Sequence, residues 1–165
     1  MNSMRNKILV IGTLVALAAC RPEKIKPFEK GDSGSVNSIA GVWKGSTAIQ
    51  RDNDAERKNF PFKSQDITSA LGFTQYKLTL NATNGQPSTF TIDYGTGVPF
   101  FKFTSGNWSV DNSEKVGKIK LYNGLDTAQF VLGAYNLIGQ DKLLLKRSKQ
   151  LLGKDAVTYE FNFIK

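Results

Sequence analysis

Residues 76–94 read YKLTLNATNGQPSTFTIDY, and this stretch decides the fold class. Tyr76, Leu78, Leu80 and Ala82 fall on one face of an extended chain and Lys77, Thr79 and Asn81 on the other, the two-residue period of a half-buried strand. Asn84 and Gly85 follow, a pair that tolerates positive φ, and Phe90, Ile92 and Tyr94 then resume the alternation. Two alternating runs about such a dipeptide predict a β-hairpin.

The same pattern extends downstream. Runs compatible with strands lie at 99–104, 107–110, 116–122, 127–134, 142–149 and 156–164, and in the last of these Tyr159, Phe161 and Phe163 face one way and Glu160 and Asn162 the other. Turn residues separate them at 95–97, 105–106, 111–114, 123–124, 139–141 and 153–155. The stretch 143–152 also fits a helical stripe through Leu144, Leu145, Ser148 and Leu152, but the turn at Gly153 leads directly into another strand and favours a strand here as well. Short strands at this spacing predict an all-β, antiparallel sandwich or barrel, and closure into a meander barrel of about eight strands would remove exposed edges. Residues 51–73 interrupt the pattern as a long polar insertion after the first strand, with Asp66 placed to cap a short helix and Gly72 to end it. An insertion there is positioned to cover a barrel mouth. Phe100 and Phe101 are adjacent in a predicted strand, so one of them is expected outside the barrel wall, under the long insertion, at a partner surface or at the mouth.

Composition narrows the chemistry. The 165 residues include no His and one Cys, with 22 Lys and Arg against 14 Asp and Glu for a formal charge of +8. Without imidazole there is no Ser-His-Asp or Cys-His nucleophile and no His-ligated zinc, and one Cys provides neither an internal disulfide nor a thiolate cluster. Asp52, Asn53, Asp54 and Glu56 alternate oxygen ligands in the manner of a calcium loop, but Arg57 and Lys63 stand where an EF-hand needs Gly and Glu. Asp66, Asp93, Asp111 and Glu160 are the carboxylates open to glycoside hydrolysis, and no spacing selects a facing pair. The expectation is therefore no catalytic residue, no metal and no cofactor.

The N-terminus reads as a targeting segment. Arg5 and Lys7 precede an apolar run from Ile8 to Leu17, too short to span a bilayer, and small residues lead to Cys20. Leu17-Ala18-Ala19-Cys20 resembles a bacterial lipobox. The resemblance implies removal of residues 1–19, lipid attachment at Cys20, and a remainder of 146 residues with a formal charge of +6. Arg21 after the cysteine implies, by the same resemblance, an outer-membrane lipoprotein. Residues 20–38 then form the lipidated cysteine and a flexible, Pro-, Gly- and Ser-bearing tether, and 39–165 the barrel domain.

Gly41-Val42-Trp43 resembles the Gly-x-Trp that opens the lipocalin barrel, where the indole plugs the closed end under a basic residue from a late strand. That likeness implies a Trp43–Arg147 pair. Taken with the lipobox, Tyr76 to Leu80, Phe103 to Asp111 and the closing Tyr159-Glu160-Phe161, the chain resembles the lipocalin-like lipoproteins of unknown function found in Bacteroidetes. This family transfers no catalytic residue.

Three functions follow for test. The first is non-catalytic binding of a small apolar or glycan-like molecule in the barrel, with Tyr76, Phe90, Phe101, Phe103, Trp108 and Phe130 as candidate lining residues and 51–73 at the entrance. The second is an accessory protein docking on an outer-membrane protein partner through its surface. The third, a carboxylate hydrolase, requires two acids facing across a cleft. Basic residues at Lys115, Lys118 and Lys120, and from Lys142 to Lys154, favour anionic headgroups or acidic glycans over nucleic acid, which an exported protein rarely meets. Whether the barrel is open, filled or acid-lined separates the three.

Overall fold

A computed structural model describes residues 34–165, side chains 135, 136 and 139 excepted. Residues 1–19, Cys20 and most of the expected tether lie outside the described residues. The strands are β1 (Gly41–Asp52), β2 (Ser64–Asp66), β3 (Lys77–Thr83), β4 (Gln86–Asp93), β5 (Ser105–Val110), β6 (Lys118–Asn123), β7 (Asp126–Leu132), β8 (Lys142–Leu151) and β9 (Lys154–Ile164). Each of β3 to β9 pairs antiparallel with its sequence neighbour, β1 pairs with β3, and β9 returns to β1. The result is a closed eight-stranded antiparallel barrel, consistent with a lipocalin-like fold, to which β2 adds a short extra strand beside Ile49–Arg51 of β1.

The predicted hairpin forms as β3 and β4, with Asn84 at φ 52° and Gly85 at φ 74°. Positive φ at both central residues suits the right-handed twist of the paired strands. The stretch 142–151 is a strand, paired with β9 along its length.

Register defines the two ends of the barrel. At one, Trp43 stands opposite Leu78, and Lys44 opposite Ile164, which also faces Lys142. Here helix α1 (Val36–Ile39) is capped by Ser35, whose Oγ accepts from Ser38 N, and it buries Val36 and Ile39 as the barrel floor. Backbone bonds from Val36 to Ser113 and from Val116 to Gly34 tie this start of the chain to the 111–117 loop. Residues 34–38 of the expected tether therefore belong to the packed domain. The signal was present: an N-cap Ser followed by apolar residues three apart.

The other end carries α2 (Asn53–Arg57), the 94–104 loop and the β6–β7 and β8–β9 turns. Two expectations fail here. The 99–104 run is a loop, so the strand rule that would have sent Phe100 and Phe101 to opposite sides does not apply. Both rings turn inward against the core. The insertion does not form the roof either. Its helix α3 (Thr68–Leu71), ended by Gly72 at φ 63°, and the 3-10 turn Phe73–Gln75 pack along β1, where Phe73 meets Tyr76, Phe161 and Phe163 in the core. Asp66 accepts from Thr68 N but is one residue early for the helix cap, which falls on Ile67.

Candidate functional site

The barrel interior is filled by its own side chains. Trp43, Phe73, Phe90 and Trp108 are fully buried, and beneath Phe100 and Phe101 remains a cavity of about 20 Å³ lined only by apolar groups. That is room for about one water and nothing for the water to bond.

The closed end is sealed by Trp43, whose Nε1 donates to Ile39 O at 2.7 Å. The cation over its ring is Lys165, with Nζ 4.8 Å from the centroid. Arg147 does not take this place. It stands opposite Tyr159, which faces Gln50, seven residues along β1 from Trp43 and so roughly 23 Å away at ~3.3 Å per residue.

At the mouth, two tyrosines hold the 94–104 loop. Tyr76 Oη donates to Val98 O, and Tyr94 Oη accepts from Phe101 N at 3.2 Å. Burial, then the neighbouring Tyr94, pushes the Tyr76 hydroxyl up to about 12, and burial raises Tyr94, so both stay neutral at any physiological pH. Gly97 permits the loop's close approach, since a Cβ there would lie 2.7 Å from both Leu71 O and the Tyr76 ring. Phe100 packs edge-on against Phe161 at 4.9 Å and Tyr159 at 5.3 Å, while Phe101 stacks on Phe103 at 5.8 Å and meets Phe130 edge-on at 5.6 Å.

Beside this roof the wall has a notch. β7 and β8 pair only through Val131 with Lys146 and Leu132 with Leu145, and above that pair they separate. A cleft of about 330 Å³ occupies the gap, with Phe101 and Phe103 as its floor, Asp126 and Thr127 on the β7 side, and Arg147 and Lys149 on the β8 side. Lys102 projects from the loop into the same cleft. On β8 the inward stripe runs Leu143, Leu145, Arg147, Lys149, so the strand face that is apolar in the core becomes cationic at the mouth. Arg147 lies over the Phe101 ring at 5.3 Å, and Lys149 over Tyr159 at 5.5 Å.

Of the six aromatics expected to line a ligand space, Phe101 and Phe103 reach this cleft. Tyr76, Phe101 and Phe130 border the small apolar cavity. Phe90 is sealed in the core, as is Trp108, which spends its Nε1–H on Asn81 O at 2.7 Å. No residue of the 51–73 insertion lines the cleft. Arg147 was legible as a distinctive cation, but its place at the mouth depends on long-range register.

The carboxylates singled out by sequence are engaged elsewhere. Asp52 caps α2 through Asp54 N and Ala55 N, and Asp54 pairs with Arg57 and Lys58. Asp93 accepts from Gly95 N, and Asp111 closes its loop by accepting from Gly117 N and Lys118 N. Glu160, on the outer wall, bonds Arg51 at 2.9 Å and Lys146 at 2.8 Å, joining three adjacent strands. Burial opposes its charge, but the hydrogen bonds and charges of Lys146 and Arg51 outweigh burial and hold the carboxyl below the ordinary range.

A comparison of the sequence with protein-family models finds no match, and neither does one with curated proteins.

Proposed function

We propose that the chain is an outer-membrane lipoprotein, anchored through Cys20, whose barrel binds a small apolar or glycan-like molecule at its mouth without transforming it. The observation that carries this reading is the 330 Å³ cleft in the β7–β8 notch, where Phe100, Phe101 and Phe103 meet the polar side chains of Lys102, Asp126, Thr127, Arg147 and Lys149. Small-molecule sites combine these elements at this size. The filled interior moves the ligand from the depth of the barrel, where sequence reading put it, to the rim. Incubation of purified protein with lipids and oligosaccharides, followed by native mass spectrometry, should reveal a one-to-one adduct; absence of any adduct across both classes overturns the binding reading. The anchor has its own test, since Cys20→Ser should release the protein from the membrane fraction, and a mutant that stays there contradicts lipidation.

A second reading, docking on an outer-membrane protein partner, is favoured by one observation: the same end exposes Phe62, Leu125 and Leu152 almost completely. Large apolar side chains at several loop tips of one end suit a protein contact. Replacing all three by Ser should abolish a cross-linked partner while leaving small-molecule binding intact.

A further inference from the structure

We infer that the mouth cleft is an anion site, and that its ligand carries a carboxylate, sulfate or phosphate group on a ring-bearing apolar body; this rests on the reading that the cleft binds a small molecule. Arg147 carries the inference. The residue is partly buried, yet among the described residues no carboxylate pairs with it and no acceptor takes its five N–H donors. Partial burial of an unpaired cation is costly, and contact with the face of Phe101 at 5.3 Å offsets only part of that cost. Lys149 and Lys102 add two cations to the same cleft, against the single carboxylate of Asp126.

The geometry divides the ligand in two. Arg147 presents a planar fork suited to two oxygens of one anionic group, and Lys149 and Lys102 supply flexible point charges beside it. The partly exposed ring of Phe101, backed by the buried Phe103 stacked on it at 14°, offers an apolar edge against which a ligand ring can pack. Among the described residues Asp126 on the opposite wall forms no ion pair with these cations, so it repels an incoming anion and tunes affinity downward.

The test uses two fluorescent probes of matched body, 1-anilinonaphthalene-8-sulfonate and the uncharged N-phenyl-1-naphthylamine, titrated into the purified full chain. The sulfonate should bind about tenfold more tightly, and its affinity should fall with added salt while the neutral probe's does not. Arg147→Gln and, separately, the exposed Lys149→Gln should each close most of that gap. Arg147→Lys should retain the salt dependence, and Asp126→Asn should tighten sulfonate binding several-fold. Equal affinity for the two probes, or a gap unmoved by both Gln variants, overturns the anion site while leaving small-molecule binding standing. Failure of both probes to bind overturns the site for a ring-bearing anion, and the lipid and oligosaccharide incubation then decides the binding reading by itself.

Discussion

Lys165, the last residue, shows how little of a side chain's role is set by local sequence. It covers the Trp43 ring and reaches Ser38 O at 3.5 Å, while Arg147, which the lipocalin likeness paired with Trp43, serves the opposite end. Both are cations late in the chain, Arg147 on β8 and Lys165 just past the end of β9, and only the β1–β9 and β8–β9 registers tell them apart. In a Trp108→Phe background, where Trp43 is the sole indole, Lys165→Met should alter the near-ultraviolet circular dichroism and Arg147→Met should leave it unchanged. The reverse outcome would restore the Arg147 pairing. Glu160 supports a second prediction. Its folded carboxyl titrates below the ordinary value of 4.5, so the stability it contributes is present at neutral pH and is lost as pH falls below about 4.5 and through the lower folded value. Glu160→Gln should cost about 1–3 kcal/mol near pH 7, with the difference from wild type shrinking in acid, as read from urea midpoints across pH. A difference that stays constant with pH would show that the ion triad is not the source.

Among the elements, regular alternation was readable and irregular loops were not. The hairpin at 76–94 and the inward stripe of Tyr159, Phe161 and Phe163 follow from period two and from Asn84-Gly85, and the strand at 142–151 from the turn at Gly153, because those signals are local. The 94–104 loop defeated the same rule. Its aromatic run resembles a strand in composition, but its conformation is set by distant partners, Tyr76 to Val98 and Leu71 to Val98, and by the space that Gly97 leaves. The cleft was invisible for a related reason, since the early separation of β7 from β8 is a property of pairing that neither strand shows alone. Phe100→Ala should cost about 1–3 kcal/mol and open a passage from the cleft to the small apolar cavity. The neutral naphthylamine probe should then bind more tightly than to wild type. Unchanged affinity with full stability would mean that Phe100 does not close the interior.

The whole molecule has a polarity that joins these observations. Gly34, through which the described chain enters, lies at the floor with α1 and Trp43, so a lipid tether from Cys20 would attach at the end opposite the mouth. No helix among the described residues is long and apolar enough to cross a membrane. The cationic cleft and the exposed apolar tips therefore share the end remote from Gly34. The formal charge is +8, and would be +6 under the proposed processing, but the charge that matters for recognition is the local excess of Arg147, Lys149 and Lys102 over Asp126. Amide chemical-shift mapping during titration with 1-anilinonaphthalene-8-sulfonate separates a mouth site from a site within the barrel. Shifts at Lys102, Thr127, Arg147 and Lys149, with Trp43 and Trp108 unmoved, are the predicted result; shifts centred on Trp108, Phe90 and the deep strand positions would contradict it.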